Sequence, residues 1–261
     1  MILLAALFAA PIHLGLPAGF RPMGIATADF NHDGNVDVAL CGESQQLLVF
    51  LGDGRGGLHL TTQQARCGLH PSSMIAADLN GDGWADLAVS NHETDYLTVL
   101  INDRRGRFAE QHIHVHSIPH PHTVAAADVN GDGRPDILVA NYSGHMTDTA
   151  HDGLTWIRND GRRRFTAFPQ RVLTADGSWR VVSGDINGDG FADAVITDVA
   201  TDRVTIAYGS RGGLHAGPSI ATMHAPHSVA LADLNHDGRA DILAITETVD
   251  ELFVCLTSPG K

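Results

Sequence analysis

The sequence predicts an all-β fold: a single five-bladed β-propeller of four-stranded antiparallel blades, its last blade closed by the N-terminal strand. Three observations predict it. A nine-residue acidic segment recurs five times, at spacings of 49, 50, 57 and 48 residues. Each copy is flanked by short apolar runs of β type and by Gly-containing turns. No stretch carries sustained helical periodicity. One domain spanning residues 1–261 is therefore expected.

The copies are DFNHDGNVD from Asp29, DLNGDGWAD from Asp78, DVNGDGRPD from Asp128, DINGDGFAD from Asp185 and DLNHDGRAD from Asp233. Before each lies a run of small apolar residues, such as Val124-Ala125-Ala126-Ala127, suited to a first strand at the crowded centre of a ring. A second strand follows the segment (Leu87-Ala88-Val89), then a third (Tyr96–Leu100), then a turn and a fourth near Leu58, Phe108, Phe165 or Leu214. The acidic segment thus forms the hairpin between strands one and two. After the last copy only Ile242–Ile245 and Leu252–Leu256 remain, one strand short of a blade. Phe8–Leu14 stands at the spacing of a fourth strand and is expected to supply it, which would remove two sheet edges.

Two readings of the N-terminus stay open. MILLAALFAAPIHL has the apolar run and small residues of a short signal peptide, leaving residues 1–7 as its remnant. It lacks a positive start, and its end overlaps the strand the ring needs. It is too short to span a bilayer. A hydrophobic content of 43% argues against disorder. The formal charge of −13 and the lack of a basic run exclude a nucleic-acid partner, but the five segments hold half of the 30 acidic residues, so the acidity is local. Cys41, Cys67 and Cys255 have no CxxC spacing and read as buried free thiols.

Within each segment, Asp at the first position, Asn at the third and Asp at the fifth aim hard oxygens at one point. Gly at the sixth permits a sharp turn, and a carbonyl at the seventh and Asp at the ninth would complete a shell. Oxygen-only ligands on a flexible loop favour Ca²⁺. The loop begins like an EF-hand loop but ends three residues early and is flanked by strands, so an EF-hand is rejected. The chain resembles the FG-GAP/VCBS repeat family, which includes the integrin α-subunit propeller and many bacterial secreted proteins; familiar members have more blades than five. The resemblance implies calcium ligation by Asp29, Asn31, Asp33 and Asp37 in the first loop and by Asp78, Asn80, Asp82 and Asp86 in the second. In the third it implicates Asp128, Asn130, Asp132 and Asp136, in the fourth Asp185, Asn187, Asp189 and Asp193, and in the fifth Asp233, Asn235, Asp237 and Asp241. About five Ca²⁺, one per blade, would stabilise the fold by linkage.

Histidine gives the second signal, with 16 residues. Seven positions before the first Asp stands Pro22, Pro71, Pro121 or Pro226, and Ser178 in the fourth repeat. Around it lie Arg21 and Met23, His70, His120 and His122, Trp179 and Arg180, and His227. Residues leaving strand two, among them Glu43, Asn91, His92, Asn141, Tyr142, Asp198 and Glu247, should reach the same face, joined by an insertion, Ser143–Asp152, with His145, Asp148 and His151. His112, His114 and His116 alternate along a fourth strand and should face the rim. Each His read singly is a polar loop residue; together they mark a mouth opposite the acidic loops. Three functions compete for it. The first is a secreted or periplasmic module, a monomer, binding a glycan or protein ligand. The second is an enzyme of polysaccharide-lyase or sugar-dehydratase type, with His70, His120, His122 or His227 as base or ligand to an added Zn²⁺ or Cu²⁺, Tyr142 as acid, and Arg21 or Arg180 as carboxylate clamp. The third is a purely structural interaction propeller. No nucleophile elbow, phosphate loop or HExxH is present.

Overall fold

Each repeat folds into an antiparallel meander, and the acidic segment joins its first two strands. The computed structural model describes residues 13–92, 94–114, 120–142, 153–162, 164–170, 177–222, 224–246 and 250–257. The first sheet is β1 (Pro22–Ala28), β2 (Asp37–Gly42), β3 (Leu47–Gly52) and β4 (Leu58–Leu60). The second is β5 (Pro71–Ala77), β6 (Asp86–Asn91), β7 (Tyr96–Asn102) and β8 (Phe108–His114). The third comprises β9 (Pro121–Ala127), β10 (Asp136–Asn141), β11 (Gly153–Gly161) and β12 (Arg164–Gln170). The fourth comprises β13 (Ser178–Gly184), β14 (Asp193–Asp198), β15 (Arg203–Tyr208) and β16 (His215–Ala221). The fifth has three strands, β17 (Pro226–Ala232), β18 (Asp241–Thr246) and β19 (Leu252–Cys255). No helix occurs among the described residues.

Alternation along the strands builds one core between each pair of neighbouring sheets. Leu87 and Val89 point to the first sheet, where they meet Ala39 and Val49. Ala88, between them, points to the third and meets Ile137 and Val139. Two further cores join the third sheet to the fourth and the fourth to the fifth. A central strand covered on both faces has no solvent side, so β6, β10 and β14 are buried at every position. The first strands β1, β5, β9 and β13 pack side by side. They line a cavity of about 450 Å³ with small residues such as Ala26, Ala76 and Ala125. This is a propeller-like arrangement of five sheets.

The two outer sheets keep apolar side chains at the surface. On the free face of the first, Phe20 buries with Leu48 and Phe50 and Leu16 packs on them, while Ile25 is 64% exposed. On the fifth, Ile245, Leu252 and Leu256 are more than half exposed. Residues 8–12 of the expected closing strand lie outside the described residues, as do Ser143–Asp152, His116 and Glu247. His112 and His114 lie exposed on either side of buried Ile113, on the rim as expected.

The second strands β6, β10 and β14 each end on a buried polar side chain. Asn91 Nδ2 donates to the carbonyls of Cys67 and Leu69, and Asn141 Nδ2 to Gly153 O at 3.0 Å. In the fourth sheet the equivalent residue is Asp198, which accepts from Ser178 Oγ at 3.1 Å and Thr205 Oγ1 at 2.6 Å. Burial pushes its carboxyl from 3.8 up to about 6, against these two hydrogen bonds. Because the folded value is the higher one, the folded chain binds the proton more tightly, and acidification from about 6 to 4 stabilises it through this group. We therefore expect Asp198→Asn, which places here the residue found in two other repeats, to gain about 1–2 kcal/mol at pH 7–8. Thermal melts should show that gain vanishing near pH 4.

Candidate functional site

The strand bounds put two different sites at the two ends of the first strands. At one end, each acidic segment closes on itself. Asp29 accepts the N–H of Asp33 at 3.1 Å and of Gly34 at 2.8 Å, and Asn31 Oδ1 accepts the same Asp33 N–H at 3.0 Å. Two side-chain oxygens thereby converge on one point. Asp78, Asp128, Asp185 and Asp233 repeat the first pair of bonds. The sixth-position glycines Gly34, Gly83, Gly133, Gly190 and Gly238 all have φ between 81 and 89°. This is the left-handed region in which glycine carries no penalty. The fourth position is left-handed too, occupied by His32, Gly81, Gly131, Gly188 and His236.

The ninth-position aspartates are fully buried. Asp37 accepts Phe30 N–H at 2.8 Å and Gly52 N–H at 2.9 Å; Asp86, Asp193 and Asp241 make the same pair of bonds in their repeats. Asp136 accepts Asn159 N–H at 2.7 Å and Trp156 Nε1–H at 2.8 Å. Burial first, then the carboxylates of Asp82 and Asp78, push Asp86 up to about 6. Asp136 is raised to about 6 with Asp132 and Asp128 beside it, and Asp193 is raised in the same way. A divalent cation would relieve this crowding of negative charge, so an all-oxygen donor set of this charge fits Ca²⁺.

At the other end, each first strand opens with the same irregularity. The residue before the Pro or Ser is left-handed: Arg21, His70, His120 and Ala225 have φ of 46, 44, 63 and 46°, and Gly177 has 100°. Two residues on, the register slips, leaving Met23, Ser72, His122, Trp179 and His227 as bulged positions without a cross-strand partner. Such bulges re-aim side chains, here at the end of the strand.

The re-aimed rings meet. His122 lies 4.0 Å from Trp179 between ring centroids. Tyr142 and His227 stand edge-on to the same indole at 5.4 and 5.3 Å, and His92 lies 5.5 Å from both His120 and His122. The predicted residues His120, His122, His227 and Tyr142 are thus brought together around Trp179 from the third, fourth and fifth sheets, with His92 joining from the second. Arg180 is exposed and lines the adjoining cavity. His70 is exposed and its carbonyl accepts the His92 N–H at 2.8 Å; Arg21 pairs with Glu43 at 2.9 Å on the surface. His122 Nδ1 lies 3.0 Å from Trp179 O. Burial pulls His122 down from 6.5 to about 4 despite that bond, with His92 and Arg180 adding to the effect.

Five antiparallel sheets, each with an acidic turn between its first two strands, make a propeller-like repeat fold. The chain belongs to the FG-GAP-like repeat family, whose model matches residues 29–89, 78–139 and 185–244. No curated protein matches the sequence. Among solved structures, one describes the specific recognition of non-reducing terminal N-acetylglucosamine by an Agrocybe aegerita lectin. It is 19% identical, with a TM-score of 0.61, and the match covers 87% of this chain and 60% of the lectin. A Photorhabdus luminescens Tc holotoxin pore is also 19% identical, with a TM-score of 0.53 over 95% of this chain and 12% of that one. At such identity the likeness is one of fold.

The His122 environment yields a titration test. Its imidazole should stay neutral down to about pH 4, read as an unmoved Cε1 proton resonance between pH 8 and 5. Since the unfolded chain takes up the proton first, acidification from 6.5 to 4 destabilises the fold through His122, and His122→Gln should flatten that slope.

Proposed function

We propose that this protein is a calcium-stabilised, five-bladed propeller, secreted or periplasmic, that binds a glycan at the histidine–tryptophan mouth. The observation that carries the reading is the convergence of His122, Tyr142 and His227 on Trp179 beside the axial cavity. A half-buried indole offers a flat apolar surface to the C–H face of a sugar, and imidazole, phenol and guanidinium groups around it suit hydroxyls. The fold likeness to a lectin points the same way. Calorimetry with oligosaccharides ending in N-acetylglucosamine, after a glycan-array screen, tests it. Trp179→Ala should weaken binding at least tenfold while the melting temperature holds within about 3 °C. A wild-type protein that binds no glycan, or a Trp179→Ala variant that binds as well, removes the reading; capture of a protein ligand alone would replace it.

Calcium in this proposal is scaffold. The first-, third- and fifth-position oxygens would hold it, with the ninth-position Asp as the buried anionic wall behind them. EGTA should lower the melting temperature by on the order of 10 °C, and calcium should restore it. Asp132→Asn, touching one loop, should cost a fraction of that. An unchanged melt, with no calcium by elemental analysis, overturns this part. The ring is proposed to close by pairing of Phe8–Leu14 with β19, which would cover the exposed Leu252 and Leu256.

A second reading rests on the three imidazoles of His92, His120 and His122. His122 presents Nε2 from a neutral ring, the form that ligates Zn²⁺ or Cu²⁺. A stoichiometric transition metal lost in a His120/His122→Ala double variant would favour an enzyme at this mouth.

A further inference from the structure

Two of the three cysteines, distant in sequence, share one core, while Cys255 packs between the fourth and fifth sheets. Cys41 lies on β2 and Cys67 in the connection from β4 to β5. Both are free thiols, fully buried in the core between the first and second sheets. Cys41 stands opposite Leu47 at the end of the β2–β3 hairpin. Cys67 is tied to the same hairpin end, its N–H donating to Gln45 O at 2.8 Å and its thiol 3.4 Å from Gln46 O. Its carbonyl is held from the other side by Asn91 Nδ2 of the second sheet at 2.7 Å. The two thiols adjoin there, each perturbing the other's proton affinity. Room for them depends on Gly24, where a Cβ would stand 2.6 Å from Cys41 Sγ.

We propose that Cys41 and Cys67 are a redox pair that closes to a disulfide, fastening the first sheet to the strand entering the second. One of the two cysteines, as its thiolate, attacks a small-molecule disulfide such as oxidised glutathione and releases one thiolate. The other, giving its proton to that thiolate, then attacks the first cysteine's sulfur and displaces the second. Two cysteine thiols are oxidised and one disulfide is reduced to two thiols. Because both sulfurs are buried, the exchange belongs to folding, when the hairpin end is open. The link would span 26 residues of sequence and add a covalent tie to an interface held by packing and by hydrogen bonds such as Asn102 Nδ2 to Phe30 O at 2.8 Å.

The full chain, refolded with oxidised glutathione, tests this. After denaturation without reductant, alkylation should label Cys255 alone, and peptide mapping should show a Cys41–Cys67 linked pair lighter by two hydrogens. Reductant should lower the melting temperature by about 5–10 °C, and Cys41→Ser should melt alike with and without reductant. Labelling of all three cysteines after oxidation, or a link through Cys255, overturns the proposal. Should Cys41→Ser fail to fold, the wild-type labelling still decides.

Discussion

The buried aspartate at the ninth position of each acidic turn is the interaction on which the structure depends. In four repeats its carboxylate takes the N–H of the second turn residue with one oxygen. In all five the other oxygen takes an N–H just beyond or within the end of the third strand. It thereby fixes the turn, the second strand and the third against one another. Charge-assisted bonds of this kind contribute about 1.5–3 kcal/mol each, and losing the acceptor leaves buried N–H groups unsatisfied. The repeat cannot exchange this residue without loosening the register of the sheet.

That anchor carries an electrostatic cost, visible at Asp86 and Asp136, whose carboxyls burial and neighbouring carboxylates push up to about 6. The rest of the turn is shaped around the same charge. Its first Asp folds back on the fifth and sixth N–H groups, and a left-handed fourth residue lets the chain turn twice in three positions. Neighbouring turns are then close enough to pack, as His32 stacks on Trp84 at 3.7 Å and Gly131 makes room for the Phe191 ring. Local turn chemistry and sheet-to-sheet packing are one construction.

At the opposite end the constraint is the reverse, an irregularity kept in every repeat. A left-handed residue followed by a bulge takes one side chain out of each first strand's alternation. In the first two sheets that residue is Met23 or Ser72, and in the last three it is His122, Trp179 or His227. One backbone device therefore presents different chemistry from sheet to sheet, as a scaffold with a variable face requires. The non-glycine left-handed positions cost on the order of 1 kcal/mol each, strain of the kind that clusters at functional sites.

Sequence alone determined the repeat, its four-strand order and the placing of acidic turns and histidines at opposite ends, because period-2 alternation, turn glycines and a recurring nine-residue segment are local signals. The small inner strands, and the three strands that the chain places after the fourth sheet, follow from the same counting. Tertiary structure decided what depends on distance. It made Trp179 the centre of a ring cluster with the bulged His122 and His227 and with Tyr142, and it put Arg21 in a surface pair with Glu43. It turned the ninth Asp inward to backbone N–H groups, and it brought Cys41 and Cys67, 26 residues apart, into one core. The ring cluster and the thiol pair have no sequence period, since each arises where one sheet meets the next.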